Sequence, residues 1–227
     1  TITKTNNYSK SATTSIAVSS DYVCSSVIVG TTGNIAYGTY KIGDEYECNP
    51  GDGKGRRFFV ISSTSSTVKL IMDRNLGNNV SWNGTGGSTI NEASAQIQSM
   101  TSSWKDVTVS LPVKNDIYGI TNSLNINKDT YPYLLTNINC NNNKCSENAT
   151  QGINNGYWTA TYEGAGAYAV NEEALETIST TSNLDYGVRP VITVNKSDIY
   201  DSFNGLTDIS IIVSPAGWAN KKTVTIT

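Results

Sequence analysis

Residues 186–194 read YGVRPVITV, one arginine and one proline set between two β-branched apolar runs. Proline brings no N–H to a sheet ladder, so it belongs at an edge, at the start of a strand or at a bulge. An arginine between apolar runs is either a solvated edge charge or a fixed pin whose donors are all engaged. Which of the two holds decides the fold this chain can adopt.

The rest of the chain favours strands and turns. Its 227 residues are rich in Thr, Ser, Asn, Gly and Tyr, with 13 Tyr and 19 Gly. Such residues suit strands, turns and Asx loops better than long helices. Hydrophobic residues make up 37% and charged residues 15%, which places the chain among folded proteins rather than disordered polyelectrolytes. The net charge of −3 leaves no basic stripe for nucleic acid or an anionic membrane. No apolar run is long enough for a membrane span. There is no histidine, which excludes Ser-His-Asp and Cys-His catalysis and His-ligated zinc. A glycosidase would need two carboxylates across a cleft, a pairing that sequence alone does not place.

Four cysteines, Cys24, Cys48, Cys140 and Cys145, allow three disulfide pairings. A Cys140–Cys145 bridge would close the short CNNNKC loop and leave Cys24 to pair with Cys48. The rival is a four-cysteine zinc site, but CxxC spacing is missing from both pairs. Disulfides imply an extracellular protein.

Along the chain, TSIAV reads as a short strand and YKIGDEYE as an edge strand. NPGDGKG is a dense turn signal, and RFFVIS and TVKLIMDR form a hairpin around STSS. STINEASAQIQSM is the clearest helix, with Ile90, Ala93, Ile97 and Met100 on one face. Thr89 and Glu92 have capping-box spacing. After the strand DVTVSLP, Pro112 suits the first position of a second helix, VKNDIYGI, with Val113, Ile117 and Ile120 sharing a face. Residues 121–155 are mostly loop, anchored by YPYLL. Strands return in GYWTATY, AYAV and GVRPVITV. Strands, two helices, a long loop and strands again make an α+β class without a βαβ rhythm.

RRFFVISSTSSTVKLIMDRNLG, the helix pair ending in DVTVSLPVKNDI, and GYWTATY followed by YGVRPVITV together resemble a known family. It is the C-type-lectin-like domain of the formylglycine-generating-enzyme-related type, found in bacterial surface proteins and in the variable proteins of diversity-generating retroelements. The resemblance spans residues 37–197. It implies a C-type-lectin-like fold of two helices, antiparallel strands and long loops over residues 37–200. Residues 1–36 then form an N-terminal extension with a short strand. Residues 201–227 form a linker and strands resembling the start of a bacterial Ig-like domain. In that fold GVRPV is a central strand, Arg189 is held by backbone carbonyls or a carboxylate, and Trp158 is a core residue. The ligand-facing end would carry Tyr162, Glu163, Tyr168, Asn171, Glu173 and Tyr186. Sugar-binding Glu-Pro-Asn and Trp-Asn-Asp patterns are absent, and so is a catalytic pattern around the cysteines of formylglycine-generating type.

The expected function is therefore non-enzymatic: an extracellular, cell-surface adhesion domain that binds a glycan or protein on a host or neighbouring cell. No cofactor is required. Calcium on the acidic run NEEALE competes with a solvated short helix or loop. The absence of Lys and Arg from residues 157–188 argues against an acidic polymer as ligand. Two other readings stand beside this one. The first is a filament or pilus subunit that self-assembles through terminal strands such as TSIAV and KTVTIT. The second is a binding protein whose residues 157–186 are diversified by a retroelement.

Overall fold

The computed structural model describes residues 22–26, 40–141, 144–146, 156–164, 166–181 and 184–200. TSIAV, KTVTIT and the whole 201–227 segment lie outside the described residues.

In chain order the elements are β1 (Cys24–Ser26), β2 (Glu45–Cys48), β3 (Arg56–Ser63), β4 (Thr67–Met72), β5 (Leu76–Val80), α1 (Glu92–Met100), β6 (Thr108–Ser110), α2 (Lys114–Thr121), α3 (Pro132–Leu135), β7 (Asn139–Asn141), β8 (Lys144–Ser146), β9 (Gly156–Glu163), β10 (Gly166–Asn171), β11 (Ala174–Ser179), β12 (Tyr186–Val188), β13 (Val191–Asn195) and β14 (Ile199–Tyr200). The architecture is mixed helix and sheet, with mostly antiparallel strands and a curled half-barrel sheet. A seven-stranded sheet runs β14-β1-β2-β3-β4-β13-β6, a five-stranded sheet runs β11-β10-β9-β12-β5, and β7 and β8 form a separate hairpin.

The continuous apolar run in RRFFVISS follows from burial on both faces of the larger sheet. Strand residues alternate sides, so Phe58 and Val60 enter one core cluster while Phe59 and Ile61 enter another. The second cluster fills the space between the sheets: Ile71 and Val191 from one side meet Tyr157, Val170 and Leu175 from the other, with Ile117 of α2 and Leu134 of α3. On the far face of the smaller sheet, α1 seats Ala93 and Ile97 against Trp82, Trp158, Tyr186 and Val188. Each of the larger aliphatic side chains among these contributes about 1.5–3 kcal/mol on burial.

A disulfide joins Cys24 and Cys48, which stand directly opposite on β1 and β2 and are buried. Cys140 and Cys145 are register partners on β7 and β8, but a bridge between them lies outside the described side chains.

Several local expectations are revised by tertiary contacts. The YKIGDEYE strand is not an edge, because β1 covers the outer side of β2. The Thr89–Glu92 capping box does not form. Asn91 is the N-cap of α1, and the Glu92 carboxylate instead accepts a hydrogen bond from the Ser81 hydroxyl. Pro112 lies before α2 rather than inside it, and its carbonyl accepts from the Ala160 N–H. Asp116 supplies the cap, accepting from the Val113 N–H at 2.9 Å while pairing with Lys69 at 2.7 Å. Val113 is exposed, so only Ile117 and Ile120 form the buried face. A third, one-turn helix, α3, forms in YPYLL. The NEEALE run is not a helix: Glu172 and Glu173 make a tight, exposed turn, and Ala174–Ser179 pair along β10. Pairing along β10 outweighs the helix preference of glutamate.

The largest revision concerns GVRPVITV, which is not one central strand. Its first half, β12, lies in the five-stranded sheet between β9 and β5. Its second half, β13, lies in the seven-stranded sheet between β4 and β6. The chain changes sheets at Arg189-Pro190, where no ladder N–H is required of the proline. The Pro190 carbonyl still accepts from the Met72 N–H at 2.9 Å.

Candidate functional site

A second crossover runs beside the first. Between β4 and β5 the chain passes from the larger to the smaller sheet through Asp73-Arg74-Asn75. The two crossovers are tied by one buried polar knot. Arg189, fully buried, donates from Nε to Asn75 Oδ1 at 3.1 Å. Its Nη1 donates to the carbonyls of Tyr133 and Leu134 at 3.1 and 3.0 Å, and its Nη2 to that of Thr136. These carbonyls lie at the C-terminal end of α3, where a cation is favoured. Asn75 Nδ2 donates to the carbonyls of Ile138 and Gly156 at 2.8 and 2.7 Å, reaching the start of β9. The packing is close: a Cβ on Gly187 would stand 2.1 Å from Asn75 Nδ2. Arg189 is thus a structural pin, held by carbonyls and an amide oxygen.

Burial pushes the Arg189 pKa down to about 10, so it remains a cation at neutral pH. Its guanidinium lies over the Tyr157 ring, 4.5 Å from the centroid. Burial in turn pushes the Tyr157 phenol up to about 12.

The residues expected at the ligand-facing end do not share one surface. Trp158 is buried, its Nε1 donating to the Val80 carbonyl at 2.7 Å, and Tyr186 packs edge-on against it with ring centroids 4.9 Å apart. Tyr186 is only 2% exposed, which leaves its ring in the core. Tyr162 turns to the same face of the sheet and stacks on Trp82 at 5.6 Å. Glu163 and Tyr168 meet on the opposite face, joined by Lys114 of α2. Lys114 Nζ pairs with Glu163 at 2.6 Å and sits 4.3 Å from the Tyr168 ring centre. The hydrogen bond to Glu163, and then that to Tyr168, raise the Lys114 pKa. Asn171, at the other end of β10, lies three residues and about 10 Å beyond Tyr168 at 3.4 Å per residue, and Glu173 follows in the turn. There Asn171 donates to Glu176 at 3.1 Å and Glu173 pairs with Lys128 at 3.1 Å. The lysines missing from residues 157–188 are therefore brought to this hairpin from elsewhere in the chain. Among the described residues no group of three or more Cys, Asp or Glu side chains is placed to hold a metal ion.

A cleft of about 610 Å³ opens beside the knot. Its walls include Asp44, Arg57 and Phe59 from the larger sheet and its flanking turn, Asp73 from the crossover, and Tyr131 and Tyr133 at α3. Phe59 and Tyr133 stack with centroids 5.0 Å apart, and Arg57 lies over Phe59 at 5.3 Å. The charged groups are held by partners of their own. Arg57 binds Glu45 through two bonds of 2.6 and 2.8 Å, and Asp73 binds Arg74 through two of 2.8 and 2.9 Å. The Tyr133 hydroxyl is buried without a hydrogen-bond partner, and burial raises its pKa. A second hollow of about 630 Å³ shares Arg57 and Asp73 with the cleft.

Sequence reasoning missed most of this cleft. The readable signals were YPYLL, which anchors the long loop, and the polar DRN that interrupts an apolar strand. Among the described residues no helix is long and apolar enough to cross a membrane. No protein-family model, curated protein or solved structure matches the chain.

Proposed function

We propose that the chain is a C-type-lectin-like, extracellular binding domain of a surface protein, which works by non-covalent contact rather than catalysis. The observation that carries this reading is the cleft beside the Arg189–Asn75 knot. Its volume falls in the range of about 300–1,000 Å³ usual for ligand sites. Its polar groups are fixed by second partners and its aromatic wall is backed by the inter-sheet core, so little ordering cost remains for a ligand to meet. The buried Cys24–Cys48 bridge fits an oxidising, extracellular setting. The mixed helix-and-sheet architecture with mostly antiparallel strands is consistent with the lectin-like reading, and that reading here takes the cleft rather than the β9–β10 hairpin as the ligand surface.

The test is binding of the purified chain to glycan, mucin and protein panels, with calcium and with chelator. Binding that is weakened by Tyr131→Ala but not by Tyr168→Ala would support the cleft. Binding weakened only by Tyr168→Ala would return the site to the hairpin. No binding to any panel would sink the adhesion-domain reading.

A further inference from the structure

Beyond the binding role, we propose that this fold bears tension along the chain, through a shear clamp formed where the chain enters and leaves it. The clamp stands on different residues from the cleft and does not depend on it.

Entry and exit lie side by side. The sequence continues on both sides of the described fold, through residues 1–21 and 201–227. The chain enters through β1 and leaves through β14, and these two strands pair in parallel, Cys24 with Ile199 and Ser25 with Tyr200. The Val23 N–H extends the ladder by donating to the Asp198 carbonyl at 2.8 Å. Direction decides how such a pair resists force. Parallel neighbours begin at the same end of the sheet, so tension on the segment before β1 and on the segment after β14 pulls toward opposite ends. The strands must slide past each other, and their evenly spaced bonds are loaded together. In an antiparallel pair, entry and exit would share one end and the bonds would open one at a time.

Each strand is anchored against that load. Cys24, the first residue of β1, is bonded through its sulfur to Cys48 of β2, and β2 pairs with β3 along its whole length. Val23 is held a second time, its carbonyl accepting from the Asn49 N–H at 2.7 Å. Force entering at Val23 therefore reaches the larger sheet through a covalent link, and the span from Cys24 to Cys48 is closed to extension. On the exit side, Ile199 is buried in one core cluster with Val23, Cys24, Tyr46 and Cys48. Just before it, Lys196 donates from its backbone N–H to the Ser66 carbonyl at 2.8 Å and from Nζ to the Thr64 carbonyl at 2.6 Å. A short outermost strand at the end of a fold frays unless it is tied down. Here both partners of the outermost pair are tied to the sheet behind them.

The experiment is single-molecule force spectroscopy of the full chain, held by its two ends between reference domains, beside urea unfolding of the same variants. Forced unfolding reads the unfolding barrier and not the equilibrium, so the two rankings separate a clamp from general stability. Val23→Pro deletes one of three ladder positions, just before a strand, where proline is tolerated. With the load shared evenly along the ladder, its rupture force should fall by about a third. Ile199→Ala keeps every backbone donor, removes the core anchor and should weaken the clamp as well. Arg189→Met lies behind the clamp: it should lower the urea midpoint more than Val23→Pro does, yet leave the rupture force closer to wild type than either clamp variant. Changing Cys24 and Cys48 together to Ala should lengthen the released chain by about 80 Å, for a separation of 24 residues at about 3.3–3.6 Å each. Rupture forces that follow the urea midpoints, with Arg189→Met weaker than the clamp variants, overturn the proposal. A wild type that extends without a rupture event overturns it too. An unchanged released length in the double variant overturns the covalent load path.

Discussion

Replacing Arg189 by Met keeps most of the stem volume and removes the charge and all the donors. Four acceptors lose their partner: Asn75 Oδ1 and the carbonyls of Tyr133, Leu134 and Thr136. The first three bonds are buried, and a buried acceptor left unpaired costs about 1–3 kcal/mol. Their sum is about 3–9 kcal/mol. Against this, Met escapes the desolvation that lowers the arginine pKa from 12.5 to about 10, which at about 1.4 kcal/mol per unit returns about 3 kcal/mol. A net loss of about 3 kcal/mol follows, close to the figure of about 3–5 kcal/mol for removing one partner from a buried charged network. The assay is urea unfolding followed by tryptophan fluorescence, since Trp158 and Trp82 pack on the far face of the sheet containing β12. With an m-value of about 3 kcal/mol/M, the midpoint should fall by about 1 M. Arg189→Lys should fall about halfway, because a point ammonium cannot serve acceptors spread around a planar fork. A Met variant within about 0.2 M of wild type would refute the claim that the knot holds the crossovers.

Three further outcomes follow from the same structure. Changing Cys24 and Cys48 together to Ala should cost about 3.5 kcal/mol through the freed loop, whose ends are 24 residues apart; an unchanged thermal midpoint would contradict this. Glu172 sits at φ 51° in the two-residue turn between β10 and β11, so Glu172→Gly should raise stability by about 0.5–1 kcal/mol, read from the urea midpoint. The hydrogen bond from Arg56 holds the Asp52 pKa at about 2, below its ordinary 3.8. A lowered folded pKa gives stability that is present above about pH 4 and lost as pH falls through about 2. Asp52→Asn should therefore lose less stability than wild type between pH 4 and 2, by about 1 kcal/mol at most for a pair near solvent. Equal losses would show that the pair contributes nothing.

Local chemistry in the chain determined the α+β class, the β3–β4 hairpin, the GYWTATY strand, and helices over Ala93–Ile97 and Ile117–Ile120. These follow from periodicity and turn residues, which act within a few positions of themselves. The lack of histidine likewise fixed which catalytic chemistries were closed. Tertiary structure decided the rest. Arg189-Pro190 reads locally as the middle of one strand. It becomes a change of sheet only because β12 pairs with β5 and β9 while β13 pairs with β4 and β6. Asn75 reads as a turn residue, yet it is buried because its crossover lies beside the one that carries Arg189, whose Nε supplies the donor its oxygen needs. The expected ligand residues Tyr162, Glu163, Tyr168, Asn171 and Glu173 are close in sequence. Strand alternation sent Tyr162 to one face and Glu163 to the other, and the length of β10 carried Asn171 and Glu173 to the far end. The cleft, by contrast, joins Asp44, Asp73 and Tyr131 across long stretches of chain, a proximity created by packing between sheets that no local pattern encodes.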